Sequence, residues 1–376
     1  MEIKRHIRVG GLIDGSGGPL RKNMMLTIAD TRFVAIEPYE KNNAPDPVLV
    51  TNLNQCTIVP ALVDCSVSLS SSPSVDRRVR TAIEKAGMAA KEALVKQHIG
   101  YCHSHGVLGV ADSEDSISLQ QDLAEGISIE IRASGTDFLR IDYSGSIDNG
   151  EEPDSSLARK DLCLILQQRR GKKAVVVANG EQGVQEALEE GCDAIEQGYG
   201  MGEDNLRKMA EKDVLWIPRM LMAKNALDSA GSGGDVNCRF SMRYVAPGKA
   251  DPGAETFWKK MLAGQLAQLR SARKLGVKTA VGTGAGSAGI LHGESVVEEM
   301  KLFIKAGWSL EETIRCASDN GARFFGMENL GVLTVGRKAT FLVARGAVQQ
   351  LPRKLAYLES VYVDGIKWKI ENYFLP

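Results

Sequence analysis

Two arginines stand at the ends of short apolar runs, where the chemistry of an α/β protein is usually found: Arg140 in "DFLRIDYS" and Arg219 in "DVLWIPRM". A guanidinium stays charged at any physiological pH and offers a planar fork of N–H donors to a carboxylate or phosphate. Ser66 and Ser68 in "PALVDCSVSL", Asn179 in "KAVVVANG" and Gln197 in "CDAIEQG" end similar runs and add neutral hydrogen-bonding groups. These six side chains suit a pocket for a small polar or anionic ligand. Alternatively, they are buried groups that satisfy one another. Arg140 and Asp142 share a face of one strand, so an internal pair is the competing fate of that cation.

The elements that must hold these residues are legible as periodicity. Eight short apolar runs read as buried strands: "TIVPALVDCS", "GVLGVADS", "ISIEIRAS", "DFLRIDYS", "KAVVVANG", "CDAIEQG", "DVLWIPRM" and "KTAVGTGAG". Amphipathic stretches lie between them, among them "TAIEKAGMAAKEALVKQHIGYCHSHG" and "ETFWKKMLAGQLAQLRSARKLG", the latter stopped by Gly276. Strands alternating with helices in this way predict a (β/α)8 TIM barrel over residues 59–331, with functional groups at the strands' C-terminal ends. Residues 1–58 and 332–376 instead show period-2 patterning broken by Gly, Pro and Asp, which predicts one composite β-sandwich domain built from both termini. No GxGxxG follows an early strand, and neither Gly-rich stretch ("RVGGLIDGSGGP", "GTGAGSAG") runs into GK[ST]. Dinucleotide and P-loop sites are therefore not expected. Tight turns are the expected role of the first stretch.

The bulk numbers narrow the partners. The chain has 376 residues, 43% hydrophobic and 25% charged, with a formal net charge of −1 and no long basic run. Neither nucleic acid nor an anionic membrane is expected as a partner. The opening "MEIKRHIRVGG" is too charged for a signal peptide, and no apolar run is long enough to span a bilayer. Seven scattered cysteines without a CxxC pair suggest reduced thiols in a cytoplasm. Cys65, between the two serines, points outward and packs. In "HIGYCHSHG", His98, Cys102, His103 and His105 are close enough to suggest a metal site, but a solvated helix end is the expected reading.

Several ordered blocks carry a resemblance: "GLIDGSGGPLRKNMMLTIADTRFVAIEP" with "TIVPALVDCSVSL", then "VVVANGEQGVQEALEEGCDAIEQG", then "GILHGESVVEEMKLFIKAGWSLEETIRCASDNGARFFGMENLGVLTVGRKATFLV". Together they resemble the amidohydrolase superfamily, particularly its imidazolonepropionase and prolidase-like branches. The resemblance implies the same barrel with a β-sandwich, and hydrolysis of C–N and related bonds by one or two divalent metals that acidify a bound water. It also implies ligands at strand ends, and here the chain departs throughout. The family's HxH falls on Ser66 and Ser68, its carboxylated lysine on Arg140, and its next two histidines on Val177 and Gln197. Its aspartate falls on Gly284, and the later "AD" pair on Ala339-Thr340. Ser and Gln are poor zinc ligands, and Val and Gly offer no donor atom. The expectation is accordingly no metal and no cofactor.

Three readings stay open. The first is a metal-free pseudoenzyme or binder of a small polar or anionic ligand. The second is a metal-independent hydrolase or lyase acting on a carboxylate-bearing substrate, with Arg140 and Arg219 stabilising charge and His292 in "LHGES" as acid or base. The third is a regulatory subunit paired with an active homologue, or a homo-oligomer. Glu196, one residue before Gln197, is expected by strand parity to point away from the axis in a structural role.

Overall fold

The computed structural model describes residues 4–41, 50–114, 128–144, 157–232 and 252–368. Four strands open the chain: Lys4–Leu12 (β1), Arg21–Ala29 (β2), Arg32–Pro38 (β3) and Val50–Pro60 (β4). After one residue the chain enters the parallel part with Leu62–Val67 (β5), Arg77–Glu84 (α1), Met88–Ser104 (α2) and Val107–Asp112 (β6). Glu130–Ala133 (β7), Phe138–Asp142 (β8), Arg159–Gln167 (α3), Lys173–Ala178 (β9) and Gly180–Glu189 (α4) follow. Next come Ala194–Gln197 (β10), Gly202–Glu211 (α5), Leu215–Ile217 (β11), Met220–Ser232 (α6), Pro252–Leu275 (α7) and Glu294–Lys305 (α8). Leu310–Cys316 (α9), Asp319–Phe324 (α10), Phe341–Arg345 (β12), Ser360–Val363 (β13) and Ile366–Trp368 (β14) complete it.

The terminal strands form one seven-stranded sheet, β14-β13-β12-β4-β1-β2-β3. It has its own core, in which Val9, Leu26, Ile28, Ile58, Phe341 and Val343 are fully buried. Phe341 stacks on Tyr362 with centroids 4.4 Å apart, so residues from the far end of the chain close this core. The first Gly-rich stretch divides. Gly15 and Gly17 take positive φ in a turn, as expected. Gly10 instead lies within β1 at a register shift against β4, where a Cβ would come 2.1 Å from the Asn54 carbonyl oxygen. Only glycine permits that approach of two backbones.

The remaining strands are parallel and fall in two sheets, β5-β6-β7 and β11-β10-β9-β8. A parallel bridge between Ser134 and Phe138 connects them at one flank. At the other, residues 278–285 make backbone hydrogen bonds to both sheets. Trp216 N–H donates to the Lys278 carbonyl (2.9 Å), Cys65 N–H to that of Val281 (2.9 Å) and Ser68 N–H to that of Ala285 (2.8 Å). This segment, expected as the eighth strand, contributes isolated bridges rather than a ladder. Gly282, Gly284 and Gly286 leave few side chains to pair, and two of them have positive φ.

Helix α7 ends before Gly276 (φ 76°), as its sequence predicts. The long stretch before β6 is two helices rather than one, because Gly87 interrupts it and serves as the N-cap of α2. Cys65 is buried against α10, where a Cβ on Gly321 would lie 2.4 Å from its Sγ. Among the described residues, no helix is long and apolar enough to cross a membrane. Cys238 lies outside the described residues.

Candidate functional site

The C-terminal end of β5 presents Asp64 and Ser66 on one side, two residues apart as strand geometry requires. Asp64 is 1% exposed and accepts hydrogen bonds from Thr283 Oγ1 (2.5 Å), Thr283 N–H (2.9 Å) and Ser66 N–H (3.2 Å). Burial pushes its carboxyl up to about 6, against the pull of those bonds. Ser66, also buried, donates through Oγ to Glu196 Oε1 at 2.9 Å.

Glu196 is the centre of the arrangement. Arg140 Nε donates to its Oε2 (2.9 Å) and Arg140 Nη2 to its Oε1 (3.1 Å), while Arg219 Nη1 donates to Oε1 (2.7 Å). With Ser66, four donors reach the carboxylate, three on Oε1 and one, Arg140 Nε, on Oε2. Burial alone would raise the Glu196 carboxyl, but Arg140 and Arg219 outweigh it and hold it at about 2. Burial also opposes the charge on Arg140, yet Glu196 keeps that guanidinium above its usual value. Of the fates open to Arg140, direct pairing with Asp142 thus gives way to pairing with Glu196. Glu196 takes the direct bonds, and exposed Asp142 adds a smaller electrostatic contribution.

The parity argument for Glu196 fails for a local reason. β10 is four residues long, and its last residue, Gln197, has φ 71°. A left-handed residue leaves the pleat, so Gln197 no longer alternates with Glu196, and Glu196 keeps the face of its register partners Val177 and Asp142, which is also that of Arg140.

Arg219 is held from three sides. It has φ 47° and precedes α6, whose first two amides, Met220 and Leu221, donate to Glu299 at 2.8 and 2.7 Å. Burial pushes the Glu299 carboxyl up to about 8 despite those two donors. Tyr199 Oη donates to the Arg219 carbonyl (2.9 Å). The guanidinium lies across Gly284, where a Cβ would fall 2.1 Å from Nη2. Glu299 and Asp64 were not singled out by sequence. Asp64 carried a usable signal, since it shares parity with Ser66, whereas Glu299 sits in an ordinary amphipathic helix and carried none.

The other expected site residues are engaged elsewhere. Asn179 Nδ2 donates to Gln197 Oε1 (2.7 Å), and Asn179 Oδ1 accepts from Tyr199 N–H (2.9 Å). Ser68 Oγ meets Ser71 (2.7 Å) and Glu114 (3.1 Å). His292 is 2% exposed, with Nε2 donating to the Ser68 carbonyl (2.9 Å) and its ring stacked on His98, centroids 3.7 Å apart. No hydrogen bond among the described residues joins His292 to the arginine pair.

His98 itself donates through Nδ1 to the Leu69 carbonyl (2.8 Å). The idea of a solvated helix end is therefore corrected. His98 and His103 are 3% and 9% exposed. His98 lies six residues before the end of α2, about 9 Å up its axis, and so reaches the far end of β5.

This histidine stack makes a pH prediction. Burial drives His98 down to about 4 from 6.5, against the Leu69 hydrogen bond, and drives His292 well below its ordinary value. Between those two values the unfolded chain binds the proton that folded His98 refuses. Its contribution is complete above pH 6.5 and lost as pH falls towards 4, by up to about 1.4 kcal/mol per pH unit. Asp64 and Glu299 act in the opposite sense, since their raised carboxyls favour the folded state as protons are added. Urea midpoints across this range should therefore be compared between the wild type and His98→Asn, which keeps a donor for Leu69. The wild type is expected to lose more stability on acidification; parallel curves would refute the assignment.

A divalent metal does not fit this donor set. The carboxylate at its centre is bonded at Oε1 by Ser66 and both arginines and at Oε2 by Arg140, and an ion there would meet guanidinium charge.

The Amidohydrolase family profile matches residues 79–365. No curated protein matches the sequence. Among solved structures, the chain is similar to a Xaa-Pro dipeptidase with bound methionine in the active site, at 18% identity and TM-score 0.76, covering 98% of this chain and 100% of that one. It is likewise similar to A. niger ochratoxinase (15%, TM-score 0.76, 98% and 96%) and to molinate hydrolase (14%, TM-score 0.74, 98% and 96%). At such identities the likeness establishes the fold alone.

Proposed function

We propose, from the premise that this chain belongs to the amidohydrolase family, that it is a metal-free member which binds a small polar or anionic ligand without the family's hydrolysis. On this reading, the two parallel sheets and residues 278–285 form the family's eight-stranded barrel, and the terminal strands form its composite β domain. The observation that carries the proposal is the Arg140–Glu196–Arg219 cluster. Where the resemblance places a carboxylated lysine the chain has Arg140, whose charge cannot be removed. Where it places an aspartate the chain has Gly284, and the Arg219 guanidinium lies over it. Positive charge is supplied by protein, and an ion at Glu196 would stand against two guanidinium groups bonded to the same carboxylate.

No water-activating step follows from these residues. An attacking water would need an electrophile, such as the family's metal, to lower its pKa and a base beside it. Asp64 is tied to Thr283 and Ser66, and the His292 ring to Ser68 and His98. The test uses untagged protein expressed with added zinc, manganese and cobalt. Elemental analysis is expected to find metal far below one equivalent per chain, with no hydrolysis of dipeptides, N-acyl amino acids or ureas. A full equivalent retained through dialysis, together with turnover that a chelator abolishes, would overturn the proposal.

A further inference from the structure

We propose that the outer edge of the Arg140 guanidinium recognises the carboxylate of a small-molecule ligand. This deepens the ligand-binding part of the preceding proposal and rests on it. A guanidinium has two forks, one formed by Nε–H with Nη2–H and the other by Nη1–H with the second Nη2–H. Glu196 occupies the first, through Nε at 2.9 Å and Nη2 at 3.1 Å. Nη1, which belongs to the second fork, has no hydrogen-bond partner among the described residues. The exposures are layered accordingly. Glu196 and Arg219 side chains are 1% and 3% exposed, whereas 19% of the Arg140 side chain reaches solvent. Arg140 is the outermost member of the cluster, and its second fork is the cluster's open side.

Charge points the same way. Two guanidinium groups share one carboxylate in direct contact, which leaves one positive charge in excess among the three hydrogen-bonded groups. Ser66, the fourth group on Glu196, is neutral, and Asp64 bonds Thr283 and meets Arg219 only through a smaller electrostatic attraction. A planar monoanion with two oxygens matches both the fork and the excess charge. Phosphate matches less well. It brings a second charge, and Asp142, two residues further along β8 and exposed, already raises the Arg140 pKa electrostatically. That carboxylate sets the limit on ligand charge: it repels a dianion more strongly than a monoanion.

The test titrates acetate into the full chain at constant ionic strength, with chloride and inorganic phosphate as references, followed by calorimetry and by thermal shift. Saturable acetate binding on the order of millimolar is expected, as suits so few atoms. Arg140→Lys keeps the charge and removes the fork, so roughly tenfold weaker binding is expected. Asp142→Asn leaves every bond to Glu196 in place and removes the repulsion, so binding a few-fold tighter is expected. This variant decides the matter if Arg140→Lys does not fold.

Acetate that acts no differently from chloride, phosphate that binds more tightly than acetate, or unchanged acetate binding in Asp142→Asn would each overturn the proposal. Acetate binding seen only in Asp142→Asn would overturn it too, because Asp142 would then fill the fork in the native protein. None of these outcomes alters metal content, so failure here is distinguishable from failure of the metal-free reading.

Discussion

Replacing Glu196 by Gln is expected to destabilise the protein by roughly 3–5 kcal/mol, seen as a lower urea midpoint with an unchanged slope. Gln fills the same volume, so no cavity opens. It removes the negative charge, however, and turns an amide NH2 towards groups that are themselves donors. With the amide oxygen at the Oε1 position, Arg140 loses its 2.9 Å bond to Oε2, and Arg219, only 3% exposed, keeps its charge without the carboxylate that offset it. The magnitude comes from the uncompensated cation rather than from the worth of the pair. A triple variant, Arg140→Met with Glu196→Leu and Arg219→Met, should therefore be more stable than Glu196→Gln alone, because it removes all three charges together. If Glu196→Gln lies within about 1 kcal/mol of the wild type, the cluster is not the buried ion network described.

The second large effect is expected at Gly284. Alanine there must adopt φ 74°, which costs an L-residue about 1–2 kcal/mol, and its Cβ would sit 2.1 Å from Arg219 Nη2 and 2.6 Å from Cζ. The guanidinium must move, and moving it breaks the 2.7 Å bond to Glu196. The combined loss is expected to reach about 3 kcal/mol or more. A double-mutant cycle separates the two causes. Once Arg219→Ala has vacated the space, Gly284→Ala should cost only its backbone strain, giving a coupling of about 1–3 kcal/mol. Strictly additive losses would mean that the guanidinium does not lie across the glycine. Gly284→Asp meets the same obstacle, so restoring the family's residue type at this single position is expected to disrupt the cluster before it recruits an ion.

Much of this organisation was legible beforehand. The seven parallel strands among the described residues fall where short apolar runs stand between amphipathic stretches, because burial on both faces imposes that pattern. The period-2 segments at each end predict a sandwich built from both termini, whereas the described strands there form a single seven-stranded sheet. The polar residues at strand ends were identifiable by place and type, and Ser66, Arg140 and Arg219 do converge.

What they converge on was hidden. Parity counted from Gln197 sends Glu196 outward, but a positive φ takes Gln197 itself out of the pleat, and Glu196 shares the face of Val177 and Asp142. Nothing in an isolated Gln announces that conformation, which non-glycine residues seldom adopt. Once Glu196 points inward, the Arg140–Asp142 pairing loses its rationale, since a buried carboxylate is the better partner for a buried cation. His98 departs from its expected solvated place for a related reason. Its place near a helix end suggested solvent, but the axial rise of α2 carries it to the far end of β5, where it stacks on His292. Local periodicity records which face a residue occupies and does not record what that face will meet.

The most direct test of the account is a crystal structure of the untagged protein grown with excess zinc, with anomalous diffraction recorded at the zinc edge. The account predicts no anomalous peak within the ring of Ser66, Arg140, Glu196, Arg219 and Gly284, with both arginines bonded to the Glu196 carboxylate. An ordered peak there, with Glu196 turned from the arginines to bind it, would contradict the account.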